Sequence, residues 1–485
     1  MAILKYEEAA HLLRRMGFAG SPSQIEELAL KERAAAVDSL LNYNQIDNSA
    51  MQSLLDRSFD FSNPDEFPKF NRAELQRWWF TRMVYTSRPF EEKMTLFWHN
   101  HFATAASKVP EIFMFIQNQT LRAHALDRFD SLLSAVAKDP AMLIWLDGVT
   151  NVRGKANENF ARELKELFTM GIRDAVTDEP LYTEMDVQET ARCFTGWKFF
   201  GPARTDPDRF NYRFFINPTE FDNTAKTVYG QTANFSGDDI LGIIAAKRAT
   251  GRFLVKKLFE FFVYPLDSTA ADKATIEKFA DVYIASNHSI KEVLRAIFVS
   301  DEFFGERARF GLVKSPVELI VGSIRMLGVR FNPGAIGRGD RGDQVSYILG
   351  GISAFLGQEL FNPRDVSGWK LNLGWINTSW LLNRFTYAAL LATARTRDLN
   401  SPGIWIAHDQ LRSYTKGNAK KTVQKLLTAL GPIEADGKTV RQLRDYLQTD
   451  DRGNLVGFTN DDLTIDKKVR GLVHLIMCLS EFQLN

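Results

Sequence analysis

Apolar residues along most of this chain recur with the α-helical period of about 3.6 residues. Segments such as SPSQIEELALKERAAAVDSLLNY and SIKEVLRAIFVS place apolar residues three and four positions apart, which gives each predicted helix one apolar face. Ser21-Pro22 and Thr183 stand immediately before such segments and are typical residues at a helix start. The pattern therefore predicts a mainly α protein with a large multi-helix globular fold.

Residues 198–230 break this pattern. Aromatic and polar residues alternate there between Pro, Asn, Asp and Gly, which predicts a small β-hairpin insertion. We therefore expect a helical region at 1–197, a β-rich insertion at 198–235 and a second helical region at 236–485. Long ordered loops are predicted at 331–345 and 361–377, and the whole chain is expected to form one compact unit.

Composition narrows the classes of function. The chain has 485 residues, 45% hydrophobic and 25% charged, and its 60 basic and 59 acidic residues give a net charge of +1. These values are typical of a soluble globular protein, and no overall field favours a nucleic-acid partner. No apolar run is long enough for a membrane span.

Two sequence features bear on the compartment. The first residues lack the pattern of a leader, so the chain as written is expected to be cytoplasmic; a leader already removed would leave the same sequence. Cys193 and Cys478 both lie in apolar settings, which predicts buried free thiols.

The stretch FWHNHF, Phe97 to Phe102, places polar side chains in a very apolar segment. A helix over 89–106 would be apolar on all sides and therefore buried. Buried imidazoles and the Asn100 amide need hydrogen-bond partners. His99 and His101 would point about 200° apart on that helix, so they cannot chelate one metal together.

Two further predicted helices carry charged stripes. The first, within 157–171, contains Arg162, Glu163 and Glu166, and Arg162 falls between Glu158 and Glu166 on the helix surface. The second follows Thr183, with Asp186 three residues on, which predicts a capping box. These stripes either face water as salt bridges or converge on a cleft in which crowded carboxylates attract a cation.

Our leading hypothesis is an enzyme in which a histidine contacts these charged stripes in a buried cleft. Histidine and carboxylate groups together suit a metal-dependent hydrolase. The predicted catalytic set is His99, His101, Arg162, Glu163, Glu166, Asp186, Glu189 and Arg192. A divalent metal would be held by His101, Glu163 and Glu166. Two alternatives stay open: a non-enzymatic scaffold or binding protein with a structural buried ion-pair network, and a protein that binds haem or metal non-covalently through His99 or His101.

A second candidate binding surface lies in FNPRDVSGWKLNLGWIN. Trp369 and Trp375, with Arg364 nearby, either form an aromatic platform that stacks against a sugar or peptide, or close the core of a long ordered loop.

Several motifs resemble a bacterial family catalogued as domain of unknown function 1800. They span nearly the whole chain in order, and include HLLRRMGFAG, EEKMTLFWHNHFAT, DPAMLIWLDG, NENFARELKELFTMG, YTEMDVQETARCFTGW and LGQELFNPRDVSGW. The resemblance implies a mostly helical fold, a periplasmic or exported location and an exported sulfatase-like partner, but no established activity. The family often has histidine where this chain has Phe221 and Lys247, so any activity that uses those histidines is in doubt here.

Overall fold

The computed structural model describes residues 3–59, 71–201, 212–329, 344–393, 406–415, 417–450 and 452–485. Its first part contains the helices α1 (Tyr6–Arg15), α2 (Pro22–Ala29), α3 (Arg33–Leu41), α4 (Ser49–Ser58), α5 (Arg72–Tyr85), α6 (Pro89–His101), α7 (Glu111–Ala123), α8 (Phe129–Ala137), α9 (Pro140–Trp145), α10 (Asn159–Glu163) and α11 (Glu184–Cys193). A π-helical segment at Leu164–Thr169, called the π segment below, continues directly from α10.

The helices of the second part follow a small β region. They are α12 (Gly237–Ala245), α13 (Arg248–Phe262), α14 (Ala270–Ala285), α15 (Ile290–Phe298), α16 (Asp301–Phe304), α17 (Pro316–Met326), α18 (Gln344–Phe355), α19 (Thr378–Thr393), α20 (His408–Tyr414), α21 (Ala419–Ala429), α22 (Gly437–Gln448), α23 (Asp462–Thr464) and α24 (Arg470–Met477). The predicted mainly α fold is confirmed. No helix in the described ranges is both long enough and apolar enough to cross a membrane.

Local sequence explains where many helices begin. The predicted capping box is present, since Thr183 Oγ1 accepts from the Asp186 N–H and the Asp186 carboxylate accepts from the Thr183 N–H. The same arrangement of a hydroxyl residue with an acidic or amide residue three positions on opens α2, α12, α14 and α17. These side chains satisfy backbone N–H groups that the first helical turn leaves without partners.

The β insertion consists of two antiparallel hairpins. Strand β1 (Trp197–Phe200) pairs with β2 (Arg213–Ile216), and β3 (Lys226–Val228) pairs with β4 (Gln231–Ala233). Tyr229 and Gly230 both adopt positive φ between β3 and β4, as a tight two-residue hairpin turn requires. The predicted hairpin region is therefore confirmed.

Two large hydrophobic clusters form the core, and α6 lies between them. The first cluster gathers residues mainly from α4, α5 and the helices from α17 onward, and includes Leu96 of α6. The second gathers residues mainly from α1–α3 and α8–α16, and includes Phe90, Met94, Phe97 and Trp98 of α6. Contact with both clusters explains why α6 is apolar on all sides.

Other expectations about chain organisation have mixed outcomes. Both cysteines are free, with Cys193 buried and Cys478 half-buried. The loop predicted at 331–345 lies mostly outside the described residues. The division into regions at 197 and 235 stays a prediction. Helix α6 ends at His101 rather than at 106, because the chain leaves helical geometry at Phe102 (φ −100°, ψ 54°).

Helix α12 provides a matched test of core packing. A Cβ added at Gly237 would lie 2.2 Å from Trp197 Cζ2 and 2.6 Å from Phe194 Cδ1. We expect Gly237→Ala to lower the free energy of unfolding by about 1–3 kcal/mol, because the surrounding rings must move. Urea unfolding measures the change.

The control is Gly242→Ala in the same helix, where an added Cβ meets nothing within 4 Å. It should raise the free energy of unfolding by about 0.5–1 kcal/mol, since alanine restricts the unfolded chain more than glycine does. Equal effects of the two substitutions would contradict this packing at Gly237.

Candidate functional site

Three consecutive helices meet at the carboxylate of Glu92, which is 0% exposed. Arg122 of α7 donates from Nε to Oε1 and from Nη2 to Oε2, both at 2.9 Å. Arg82 of α5 donates from Nε to Oε1, and Trp79 of the same helix donates from Nε1 to Oε2 at 2.9 Å. One buried acidic group therefore fixes α5, α6 and α7 relative to one another.

The charge of Glu92 is balanced by its surroundings. Burial alone would raise its pKa, but the positive charges and hydrogen bonds of Arg122 and Arg82 lower the pKa to about 2. The carboxylate therefore stays ionised over the whole physiological range. Removing one partner of such a buried pair leaves the other charge uncompensated, which costs more than the pair contributes when complete.

The neighbouring Glu91 has the opposite tendency. Burial and then the negative charge of Glu92 raise the pKa of Glu91. Its carboxylate is 3.4 Å from Arg82 Nη2, a longer contact than those of Glu92. Two adjacent carboxyl groups thus have pKa values displaced in opposite directions, an arrangement that is common where one group holds a charge and the other transfers a proton.

Glu91 lines a cleft of about 700 Å³, a volume within the usual range for small-molecule sites, about 300–1,000 Å³. The lining residues, called the Glu91 cleft below, are Leu41, Tyr43, Asn44, Gln52, Arg82, Glu91, Gln119, Arg122, Ala123, Leu126, Asp127 and Lys291. Most of them are polar or charged. Residues far apart in sequence therefore converge on a partly buried carboxyl group with an altered pKa, which is the usual property of an acid–base site.

The polar residues of FWHNHF act on backbone groups of other segments. His99 Nε2 accepts from the Phe361 N–H at 3.1 Å. The Asn100 amide binds both backbone groups of Trp369, at 2.6 Å to its N–H and 3.3 Å to its carbonyl. His101 Nε2 lies 2.9 Å from the Phe168 carbonyl of the π segment. The motif is therefore a clamp between α6, the loop at 361–369 and the π segment.

A close approach of Gly368 to Asn100 makes this clamp possible. Gly368 has φ +77°, and a Cβ there would lie 2.4 Å from both the carbonyl oxygen and Oδ1 of Asn100. Only glycine allows that φ and that approach without strain.

Both clamp histidines are neutral in the folded protein. Burial lowers the pKa of His99 to about 3 and that of His101 to about 3. Since the Phe361 N–H donates to His99 Nε2, that nitrogen carries no proton. The Nε2 atom of each histidine is engaged by a backbone group, whereas His101 Nδ1 is buried and has no partner among the described residues. The haem alternative stays a prediction.

The acidic stripes are held by their own arginines rather than by the histidines. Arg162 pairs with Glu158 at 3.0 Å and with Glu184, not with Glu166. Glu163, at the end of α10, and Glu166, in the π segment, are both half-buried. Burial and the charge of Glu166 raise the pKa of Glu163. Among the described residues, neither His99 nor His101 hydrogen-bonds to a carboxylate, which corrects the expected contact.

The second stripe attaches α11 to the β insertion. Arg192 binds Glu189 and Asp222, each at 2.8 Å, and Glu189 also accepts from the Thr227 N–H. Asp186 caps its own helix and accepts from the Tyr229 N–H at 2.6 Å. These contacts are structural, and the catalytic roles predicted for these residues stay predictions.

A buried lysine joins the two charged helices. Lys165 of the π segment donates to Thr190 Oγ1 at 2.5 Å and lies 5.3 Å from the centre of the Tyr229 ring. Burial lowers its pKa to about 7. Lys165 is buried, whereas Glu163 and Glu166 close to it in sequence are half-buried.

The predicted metal ligands are not assembled into a site. In the described ranges, no group of three or more His, Cys, Asp or Glu side chains is placed to hold a metal ion. The His101 imidazole is directed to the Phe168 carbonyl. The set of His101, Glu163 and Glu166 as metal ligands therefore stays a prediction.

The predicted aromatic platform lies in the core. Trp369 and Trp375 are 8% and 3% exposed, and the Trp369 ring packs 5.6 Å from that of His99. This supports the second of the two readings, in which the tryptophans close the core of the loop. Arg364 is exposed on the same loop.

Of the two positions at which the family often has histidine, Phe221 lies within the β insertion and Lys247 contacts it. Lys226 Nζ is 4.9 Å from the centre of the Phe221 ring, and Lys247 Nζ is 3.9 Å from that of Tyr229. Both positions are therefore occupied by cation–aromatic contacts in this chain.

Sequence reasoning missed the Glu91 cleft although its signal was present. Glu91, Glu92 and Lys93 lie in the same all-apolar helix as the histidines, so they too had to be buried and paired; Lys93 binds Glu318 and the Gly17 carbonyl. The partners of Glu92 are 10 and 30 residues away, and no local pattern marks them.

The ion pairs of Glu92 yield a stability prediction. Glu92→Gln should lower the free energy of unfolding by about 3–5 kcal/mol, because it leaves Arg82 and Arg122 buried without a negative charge. Glu158→Gln, which breaks a half-exposed pair with Arg162, should change it by less than about 1 kcal/mol. Similar losses in urea unfolding for both variants would contradict the central role of Glu92.

The buried histidines yield a pH prediction. The unfolded chain binds protons at imidazoles near pH 6.5, whereas His99 and His101 stay neutral in the fold down to about pH 3. The free energy of unfolding should therefore fall as pH is lowered from about 6.5 toward 3, approaching about 1.4 kcal/mol per pH unit for each histidine.

Urea unfolding between about pH 4.5 and 6 tests this dependence. His99→Gln should reduce the slope by the contribution of one proton. An unaltered slope in His99→Gln would show that this imidazole does not resist protonation.

Comparison with known proteins gives a family but no characterised relative. No curated protein and no solved structure matches the chain significantly. One family model, described as "Protein of unknown function (DUF1800)", matches residues 11–484. That match covers nearly the whole chain in a single span, so the chain belongs to the DUF1800 family.

Proposed function

We propose that this protein is an enzyme in which Glu91 acts as a general acid in the Glu91 cleft. The observation that carries the proposal is the Glu91 carboxyl group, which lines a cleft of about 700 Å³ and whose pKa is raised by burial and by Glu92. A general acid must be protonated near the working pH, and such an environment favours the protonated form.

The arrangement around Glu91 supports the assignment. Glu92 keeps its charge because Arg82 and Arg122 bind it, and that fixed charge disfavours ionisation of Glu91 one residue away. Arg82 lies within 3.4 Å of Glu91 and can bind the carboxylate formed when the proton leaves. The group can thus give up a proton and recover it without a change in fold.

Hydrolysis is the reaction class that fits best, because a positioned acid promotes departure of a leaving group. The proposal retains the predicted hydrolase and assigns the reaction to Glu91 instead of the predicted metal ligands His101, Glu163 and Glu166. The proposed site lies at the first turn of α6, whereas the sequence analysis placed it at the last turn.

A second candidate function is a non-enzymatic scaffold or binding protein. It is favoured by the buried ion pairs and by the FWHNHF clamp, whose contacts all join segments of the fold. Such groups can be retained for specific packing alone. The two functions differ in what Glu91 does, so substitution there separates them.

Glu91→Gln should lower kcat by about 100-fold or more, because the amide cannot donate an acidic proton. Wild-type activity should fall as pH rises through the raised pKa of Glu91, and this limb should be absent in the variant. A panel of chromogenic ester, phosphoester and glycoside substrates measures the rates.

Thermal melting distinguishes catalysis from scaffolding. If Glu91 is catalytic, Glu91→Gln should melt at the wild-type temperature or higher, because active-site groups are rarely optimal for stability. Glu163→Gln serves as the comparison variant and should retain activity. Loss of activity in Glu163→Gln but not in Glu91→Gln would place the reaction at the acidic helices instead, and early melting of Glu91→Gln without any activity in the wild type would favour the scaffold.

A further inference from the structure

The Glu91 cleft is lined by neutral polar side chains that have at least one polar atom without a partner in the described protein. Asn44, Gln52 and Gln119 are exposed, and Tyr43 is half-buried. Among the described residues, no hydrogen bond is made by the Tyr43 hydroxyl, the Asn44 side-chain amide, Gln119 Nε2 or Gln52 Oε1. Together they offer hydroxyl and amide groups that donate and accept hydrogen bonds.

The cationic groups of the cleft are already engaged. Arg122 binds Glu92, Asn118 and Gln119, and Lys291 Nζ donates to Asn42 Oδ1 at 2.7 Å. Arg82 binds Glu92 and Glu91. A strongly anionic ligand would have to compete with these acceptors, whereas a neutral ligand would find the free amide and hydroxyl groups.

A hydroxyl group both donates and accepts hydrogen bonds, as do the amide side chains that remain free. A ligand rich in hydroxyl groups is therefore the best chemical complement to this lining. The Tyr43 ring adds an apolar face beside those polar groups, which suits the mixed surface of a sugar ring.

Two carboxyl groups lie among the described residues of the cleft, Glu91 and Asp127. Asp127 Oδ2 lies 2.9 Å from His124 Nδ1, and its Oδ1 accepts from the Arg128 N–H at 2.7 Å. The Glu91 side chain is 11% exposed, whereas the Asp127 side chain is 43% exposed. A buried and a more exposed carboxyl group at a single cleft are the two residue types that glycoside hydrolysis uses as acid and base.

We infer that the substrate of the proposed enzyme is a neutral glycoside, with Glu91 as the acid and Asp127 as the base; the inference rests on the proposed function. Glu91 transfers its proton to the glycosidic oxygen as the bond between that oxygen and the anomeric carbon breaks. The oxygen of a water molecule bonds to the anomeric carbon, and Asp127 takes the proton that this water loses. Proton exchange with solvent then restores both carboxyl groups.

The first experiment measures hydrolysis of 4-nitrophenyl glycosides of the common hexoses, pentoses and N-acetylhexosamines by the full chain. We expect release of 4-nitrophenol from at least one of them, and a fall in kcat of about 100-fold or more in Glu91→Gln and in Asp127→Asn. The free oligosaccharides of the same sugars should still bind Glu91→Gln in isothermal titration calorimetry.

Recognition is tested separately from catalysis. Tyr43→Phe and Asn44→Ala should raise KM about 3- to 10-fold with little change in kcat, since each removes about one hydrogen bond to the ligand. Gln424→Ala, an amide in another cavity of the protein, is the matched control and should change neither constant.

The possible results separate this inference from the proposed function. Glu91-dependent hydrolysis of esters or phosphoesters with no glycoside activity and no oligosaccharide binding would overturn the glycoside inference and leave the proposed function standing. Oligosaccharide binding without any hydrolysis would overturn the proposed function and the catalytic assignments. The absence of both binding and hydrolysis throughout the panel would overturn both.

Discussion

The ion pairs of Glu92 are the interaction on which the surrounding structure depends. A carboxylate that is 0% exposed can remain charged only if cations reach it, and here Arg82 and Arg122 come from the helices on either side in sequence. The spacing of α5, α6 and α7 is therefore set by electrostatics as well as by apolar packing. Together with burial, the same charge makes the adjacent Glu91 harder to ionise. The structural role of Glu92 and the proposed chemical role of Glu91 are therefore coupled.

Helix α6 also connects the two halves of the core. Lys93 binds Glu318 of α17 on one side, while the rings of Phe97 and Trp98 pack into the other cluster. At its last turn, His99 and Asn100 hold the loop at 361–369. An all-apolar helix with a few paired polar groups is thus well suited to join two clusters, because its polar groups fix which neighbours it can have.

Much of the fold could be predicted from the sequence, but little of the site could, because the fold has local signals and the site does not. Helical period, the Thr183–Asp186 capping box and the aromatic alternation at 198–230 are local signals, and each predicted the element that forms. The site depended on distant partners. Tyr43 and Lys291 are separated by about half of the chain. The carbonyl of Phe168, which His101 contacts, is a backbone group with no signature in residue type.

The error over the histidines has the same origin. Burial was correctly predicted for His99 and His101, and so was the need for partners. Carboxylates were taken as the partners because they are visible in a sequence, whereas the actual partners are main-chain groups of Phe361 and Phe168. Glu91, Glu92 and Lys93 are buried in the same helix and need partners too. The same reasoning therefore indicates a polar site at the first turn of α6.

The clamp at the end of α6 also bears on how this region opens. Consecutive residues on a helix point about 100° apart, so within a single turn His99 and Asn100 reach two points of the loop at 361–369 and His101 reaches the π segment. Fraying of that turn would release the loop at 361–369 and the π segment together. Amide hydrogens at the end of α6 should therefore exchange with solvent only through large cooperative openings, unlike those of an ordinary helix terminus.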